Sequence, residues 1–418
     1  MQVSQMAGSL IGSEIIKIGS EVNEMIKRGQ EICNLTIGDF DPSIYPIPAG
    51  LAEGITAAYQ AHHTNYPPAN GIAELRQAAH DFLKARLGLD YPTNDFLVAG
   101  GSRPLIYATY RALIDAGDRV VFPVPSWNNN HYCHLTGATP VAVPTRPENQ
   151  FMPTAAEVAP HLPGATLLAL CSPLNPTGTT FSRQDLEDIC DLVIAENQRR
   201  GPDEKPLYVL YDQIYWLLTF GNTQHFDPVS LRPELRPYVI YIDGISKCFA
   251  ATGVRVGYAF GPANVIDKMK SILGHVGAWA PKAEQVATAK FLPDASAVDT
   301  YLHDFKGEIQ TSLQTLYDGL QALKADGLPV DAIAPAGAIY LTAKLDILGR
   351  TAPDGQVLTS TKEATSYLIH AAGLAVVPFS AFGSGAAEPW FRMSVGGASL
   401  ASIEAALPRL RAALEQLS

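Results

Sequence analysis

Residues 238–255, YVIYIDGISKCFAATGVR, begin with a run of β-branched and aromatic residues, pass through Gly244, and reach a lysine, Lys247, that is followed by more apolar residues and then by Arg255. The run is apolar at almost every position rather than at alternate ones. That pattern predicts a strand covered on both faces, as in the parallel sheet of an α/β protein. The lysine stands just beyond the predicted strand end. An ammonium in apolar surroundings carries a desolvation penalty that lowers its pKa, so Lys247 is either an isolated packing feature or a nucleophile.

Four further runs repeat the arrangement. DFLVAG leads into Gly101-Ser102-Arg103 and a helical pattern opened by Pro104, a residue suited to a first helical turn. DRVVFPV leads into PSWNNN, ATLLALC into SPLNPTG, and PLYVLY into DQIY. Apolar runs alternating with helical patterns predict an α/β sheet with crossover helices. In open sheets of this kind ligands bind beyond the carboxyl ends of the strands, and those ends carry Ser102, Trp127, Asn175, Asp212 and Lys247. Each alone has an ordinary reading: a turn for Asn175-Pro176-Thr177-Gly178, a helix cap for Asp212, a core ring for Trp127, a glycine loop around Ser102. Their convergence on one edge is what points to a site.

The chain has 418 residues, 47% hydrophobic and 17% charged, enough for a large core and two domains. A net charge of -11 argues against nucleic acid or an anionic membrane as partner, since both require a basic face. Five scattered cysteines without a C-x-x-C spacing argue against a disulfide framework or a structural zinc site and fit a reducing cytoplasm. The cluster HYCH (His131, Cys133, His134) lacks a second ligand pair, so no metal is expected. Near the start, Ile15, Ile16, Ile18, Val22, Met25 and Ile26 have the spacing of an amphipathic helix rather than the unbroken apolar core of a signal peptide, and no run reaches the length of a membrane span.

Taken in order, SPLNPTG, YDQIY and SKCFAATGVRVGY resemble the motifs of the fold-type-I, pyridoxal-phosphate-dependent aminotransferases of class I and II, a resemblance that extends from LTIGDFD to FRMSVGG. It implies a three-layer α/β/α large domain with a mostly parallel sheet, plus a smaller α+β domain. Residues 1–45 would be the N-terminal segment of the small domain and residues 46–289 the cofactor domain. Residues 290–418 would supply a long linking helix, AVDTYLHDFKGEIQTSLQTLYDGLQALKA, and the rest of the small domain. Lys247 would form the Schiff base with pyridoxal 5′-phosphate, with Asp212 beside the pyridine nitrogen and Tyr215 and Asn175 on the ring oxygen. Trp127 would stack on the ring. Arg255, Ser246 and the backbone N–H groups of Gly101, Ser102 and Arg103 would hold the phosphate. Arg392, Gly38 and Asn175 would meet the substrate, Arg392 through its α-carboxylate. Tyr66 would reach the cofactor of a neighbouring subunit, which implies a homodimer. The implied reaction is a ping-pong transfer of the amino group of an L-amino acid to a 2-oxo acid, with aspartate or a broad set of donors.

The sequence departs from the family pattern at several places. Gly244 stands where many members have a phosphate-contacting serine, and Ser102 where many aspartate-specific members have a lysine. Arg103 either replaces that lysine at a distal carboxylate or is a solvated helix-start residue. Phe379, where glycine is usual, would reshape the pocket roof, and Trp279 would either face an apolar substrate or pack in the core. Two rival functions are a lyase or decarboxylase on the same fold and a ligand-sensing transcription regulator. The regulator needs a basic DNA-binding module, and the segment before LTIGDFD is too short for one.

Overall fold

The computed structural model describes residues 3–10, 12 and 14–418. Its centre is a seven-stranded sheet made of β1 (Phe96–Ala99), β2 (Arg119–Val124), β3 (Thr139–Pro144), β4 (Ala165–Cys171), β5 (Tyr208–Asp212), β6 (Val239–Gly244) and β7 (Gly257–Phe260). Their spatial order is β1-β7-β6-β5-β4-β2-β3. Strands β2 to β6 pair in parallel, and β7 runs antiparallel to both β6 and β1. With β7 reversed, β1 points the same way as the rest, so the six other strands end on one edge.

All residues of β6 and all but the last of β4 are buried. Successive side chains go to opposite faces. Val121, Leu168, Leu170, Val209 and Tyr241 enter one apolar cluster, while Val120, Leu167, Ala169, Leu210 and Ile240 enter another. Full burial of each large aliphatic side chain contributes about 1.5–3 kcal/mol, and this two-sided burial is what the continuous apolar runs encode. Helices cover both faces, giving the three-layer α/β/α fold.

Two strands escaped the reading of apolar runs. β3, TPVAVP, is an edge strand with mostly exposed residues, and its two prolines are tolerated because an edge needs only one ladder of hydrogen bonds. β7, GYAF, is hidden in the motif that follows Lys247. Its first residue, Gly257, pairs with Gly244. A Cβ on Gly244 would come within 2.7 Å of the Gly257 Cα, and one on Gly257 within 2.5 Å of the Gly101 backbone. The ends of β6 and β7 and the turn after β1 are therefore in direct backbone contact, and no serine fits at residue 244 without displacing a strand. Gly244→Ser is expected to destabilise the protein by about 1–3 kcal/mol through overpacking, as a lowered urea midpoint will report. An unchanged midpoint would mean that the strands separate freely.

A four-stranded antiparallel sheet has the order β10-β11-β9-β8, from β8 (Val330–Ile333), β9 (Tyr340–Leu345), β10 (Val377–Pro378) and β11 (Trp390–Ser394). A parallel pairing of Cys33–Asn34 with Leu374–Ala375 ties the N-terminal segment to this part of the chain. Three helices matter for the site: α1 (Glu14–Lys27), α2 (Ser102–Leu113) and α3 (Ala295–Ala325). The last has 31 residues, a length of about 46 Å. Its Val298 and Leu302 join a core cluster of the large sheet, and Phe305, Ile309 and Leu313 join that of the small sheet. Among the described residues no helix is long and apolar enough to cross a membrane. In the HYCH cluster Cys133 points into the core and His134 bonds the Met6 carbonyl at 2.8 Å.

Candidate active site

A cavity of about 720 Å³ opens at the carboxyl edge of the large sheet. Ser102, Trp127, Asn175, Asp212 and Lys247 all line it, because the strands that precede them end side by side. The small sheet contributes Tyr340 and Arg392, the N-terminal segment Ile37, Gly38 and Asp39, and α1 the face that carries Ile15, Ile16, Gly19, Ser20 and Asn23.

Lys247 donates from Nζ to the Gly38 carbonyl at 2.6 Å, with the rings of Phe40 and Tyr215 each 5.7 Å away. Burial lowers its pKa to about 8. The Asp39 carboxylate opposes the shift, and Arg392, Arg103 and Arg255 reinforce it. An appreciable fraction of the amine is therefore unprotonated near neutral pH, as a nucleophile or general base requires.

Asp212 accepts the Ile214 N–H at 3.1 Å. Burial raises its pKa to about 6, against that hydrogen bond and the charge of Lys247, which both favour the carboxylate. A cationic ligand atom beside it would complete its ionisation.

Arg392 is 2% exposed and held between the rings of Tyr340 and Phe382, at 4.7 and 4.9 Å. It donates to the Asn175 side-chain oxygen at 3.1 Å and to the Thr36 carbonyl at 2.5 Å, while its Nε is buried without a partner. No carboxylate is among these partners, so this is not a structural ion pair. A buried guanidinium facing only neutral groups is costly, and an anion entering the cavity would relieve that cost.

Arg255 adopts a φ of 60° and donates to the carbonyls of Thr252 and Gly100 at 2.7 and 2.6 Å, leaving three of its five N–H groups unspent. Its guanidinium fills the space that a Cβ on Gly101 would need, and Gly101, at φ 93°, caps α2. The N-terminus of α2, Arg255 and the Ser246 hydroxyl thus border one end of the cavity and could receive a phosphate. Arg103 lies at the rim with its guanidinium 4.7 Å over the Trp127 ring.

Residues 30–410 match the sequence model of the family described as aminotransferase class I and II. The chain belongs to this family. It is 28% identical over 420 residues to the aspartate aminotransferase of Rhizobium meliloti (strain 1021), covering 100% of this chain and 97% of the relative. It is 29% identical over 385 residues to a probable aspartate/prephenate aminotransferase of Rhizobium leguminosarum bv. phaseoli, covering 91% of each. Among solved structures, an aspartate aminotransferase from Rhizobium meliloti superposes with a TM-score of 0.91 at 27% identity over 100% of both chains. Another, from Thermus thermophilus with maleate, gives 0.86 at 27% identity over 99% of this chain and 100% of that one. The protein is a transaminase of the aspartate aminotransferase fold, and its family uses pyridoxal phosphate with amino acids and 2-oxo acids.

Some expectations for this aminotransferase fall elsewhere. Phe379 does not roof the cavity; it is fully buried beside Phe151, ring centroids 5.1 Å apart, and Phe382 takes the place against Arg392. Trp279 lies outside the cavity, edge-on to Tyr66 at 5.2 Å. Tyr66, expected at the cofactor of a neighbouring subunit and not at its own, is 81% exposed and does not line the cavity of its own chain. Two contributions were missed by sequence reasoning: the face of α1, and Tyr340, whose hydroxyl lies 2.6 Å from that of Tyr215. A Cβ on Gly38 would come within 2.7 Å of the same Tyr340 hydroxyl, which explains the glycine there.

Proposed function

We propose that the cavity holds pyridoxal 5′-phosphate at Lys247 and receives the α-carboxylate of an L-amino acid at Arg392, with aspartate as the favoured donor. The observation that carries this reading is Arg392 itself, a buried cation with an orphaned Nε and no anion, in the same cavity as an amine whose pKa is depressed to about 8. The donor set fits the cofactor. Arg255, Ser246 and the backbone of Gly101, Ser102 and Arg103 would take the phosphate, Asp212 a protonated ring nitrogen, Tyr215 and Asn175 the ring oxygen, and Trp127 a ring face. When bound, the cofactor supplies a carbonyl that amines condense with and a sink for the electron pair released at the substrate Cα.

The chain's own groups do the rest. Lys247 Nζ, once free, takes the proton from Cα and returns it as general base and then acid. Arg392, oriented by Asn175, fixes the substrate carboxylate in a geometry that brings Cα to the lysine. The small sheet and α1, which line the cavity, would limit the access of water. We take residues 46–289 as the body that holds the cofactor, and residues 1–45 with 290–418 as the body that brings Arg392 to it. The exposed Tyr66 would reach a second copy's phosphate in a homodimer. The five free cysteines support a cytoplasmic setting.

The donor preference rests on the names of the relatives and on Arg103, a rim cation stacked on Trp127. The test is the visible spectrum of the pyridoxal-phosphate-loaded protein titrated with aspartate, glutamate, alanine and phenylalanine. Aspartate is expected to convert it to the shorter-wavelength amine form at the lowest concentration. Arg103→Ala should weaken aspartate by roughly tenfold or more and alanine far less, the effect of one charge-assisted contact. Equal loss for both would reject the role of Arg103, and a protein that shows no visible band with pyridoxal phosphate would reject the whole reading.

A further inference from the structure

Tyr340 begins β9, on the small sheet, yet its side chain touches three other parts of the cavity wall. Its hydroxyl is 2.6 Å from that of Tyr215, its ring lies 4.7 Å from the Arg392 guanidinium, and its oxygen fills the space beside Gly38, whose carbonyl receives the Lys247 ammonium. It is 1% exposed, and Tyr215 is 2% exposed. No bond to another protein group is needed to explain the pair: each phenol is the other's side-chain partner, and either can donate.

We infer that Tyr340 is a positioning residue that donates to Tyr215 and so strengthens Tyr215 as the donor to the ring oxygen of the cofactor. The inference rests on the reading that pyridoxal phosphate binds with that oxygen toward Tyr215. Two phenols in contact have one proton between them and one left over. When an oxygen anion stands before Tyr215, the Tyr215 proton turns toward it and the Tyr340 proton turns toward the Tyr215 oxygen. A hydroxyl that accepts a hydrogen bond is a better donor, because successive bonds in a chain polarise one another.

The surroundings favour that order. Burial raises Tyr215 well above the ordinary phenol range, with Tyr340 adding to the shift and Arg392 opposing it. Burial also raises Tyr340, but Arg392 and the bond with Tyr215 hold it down, against the Cys171 thiol and the Asp39 carboxylate, which push it up. Lys247, 5.7 Å from the Tyr215 ring, is a second cation beside the pair. The more acidic phenol is thus the one farther along the chain of donors, beside the guanidinium.

The experiment is a double-mutant cycle on the pyridoxal-phosphate-loaded protein, read as the pH midpoint of its visible absorption change. Donors to the ring oxygen favour its deprotonated form, so losing one raises the midpoint. Tyr340→Phe keeps the ring under Arg392 and is expected to raise the midpoint by about half to one pH unit. Tyr215→Phe is expected to raise it more, and the double variant no more than Tyr215→Phe alone, since Tyr340 acts only through Tyr215. Melting temperature, measured alongside, should be nearly unchanged in Tyr340→Phe. A midpoint that moves in Tyr215→Phe but stays at the wild-type value in Tyr340→Phe overturns the inference and leaves the cofactor reading intact. Additive shifts in the double variant overturn it too. If neither single variant moves the midpoint, the orientation of the cofactor toward Tyr215 falls, and the inference with it.

Discussion

Replacing Lys247 by alanine is expected to lower transamination by on the order of 10⁴-fold or more, because in the proposed mechanism one substitution removes both the amine that captures the cofactor and the base that moves the Cα proton. The loss should appear in single-turnover conversion as well as in steady-state turnover, and the fold should survive, since among the described residues the lysine side chain bonds only the Gly38 carbonyl. The same depressed pKa sets a pH dependence that can be measured without any substrate. Only the free amine attacks an aldehyde. With Lys247 at about 8, the rate at which the cofactor-free protein takes up pyridoxal phosphate should climb about tenfold per pH unit below that value and level off above it. A surface lysine would show no plateau until far higher pH. Turnover by Lys247→Ala at the wild-type rate would remove the lysine from the mechanism.

How far the sequence foretells such a site depends on where its information is local. The strands that lead to Ser102, Trp127, Asn175, Asp212 and Lys247 were legible because burial on both faces demands an uninterrupted apolar run, and polar residues at or just after the end of such a run mark the strand end. β3 was not legible: an edge strand with prolines has no such run. Tyr340 lies in the apolar stretch AIYLTAKL, where a tyrosine reads as core, and it is indeed buried. Its importance comes from a contact across 125 positions of sequence, with Tyr215, that no local pattern encodes. The same holds for α1. The spacing of its isoleucines marks an amphipathic helix, but not the fact that Ile15, Gly19 and Asn23 line a cavity built by other elements. Phe379 was placed wrongly for a related reason. Its neighbour three residues on, Phe382, faces Arg392, and the short helical turn over Phe379–Phe382 decides which ring does so.

Arg392 offers the second large effect, and one in which function and stability should move in opposite directions. Arg392→Met keeps much of the side-chain length and its contacts with Tyr340 and Phe382 but removes the guanidinium. In the proposed role, two parallel charge-assisted hydrogen bonds to the substrate carboxylate would disappear with it. At about 1.5–3 kcal/mol each, this predicts a fall in kcat/KM of on the order of 10²–10⁴-fold, shared by all amino acid donors because every one presents the same α-carboxylate. Lysine at this position should recover little, since a point charge cannot reproduce the fork. Stability should respond the other way. In the free protein the guanidinium is buried against neutral partners, with Nε unsatisfied, so it is a cost of the fold rather than a support. Arg392→Met in the absence of substrate is therefore expected to unfold at the same or a higher urea concentration than the parent protein. A dicarboxylate such as maleate is expected to raise the urea midpoint of the parent and not that of the variant, because a ligand stabilises only the state that binds it. If the variant is instead strongly destabilised and still protected by maleate, Arg392 is a structural cation and the carboxylate site lies elsewhere in the cavity.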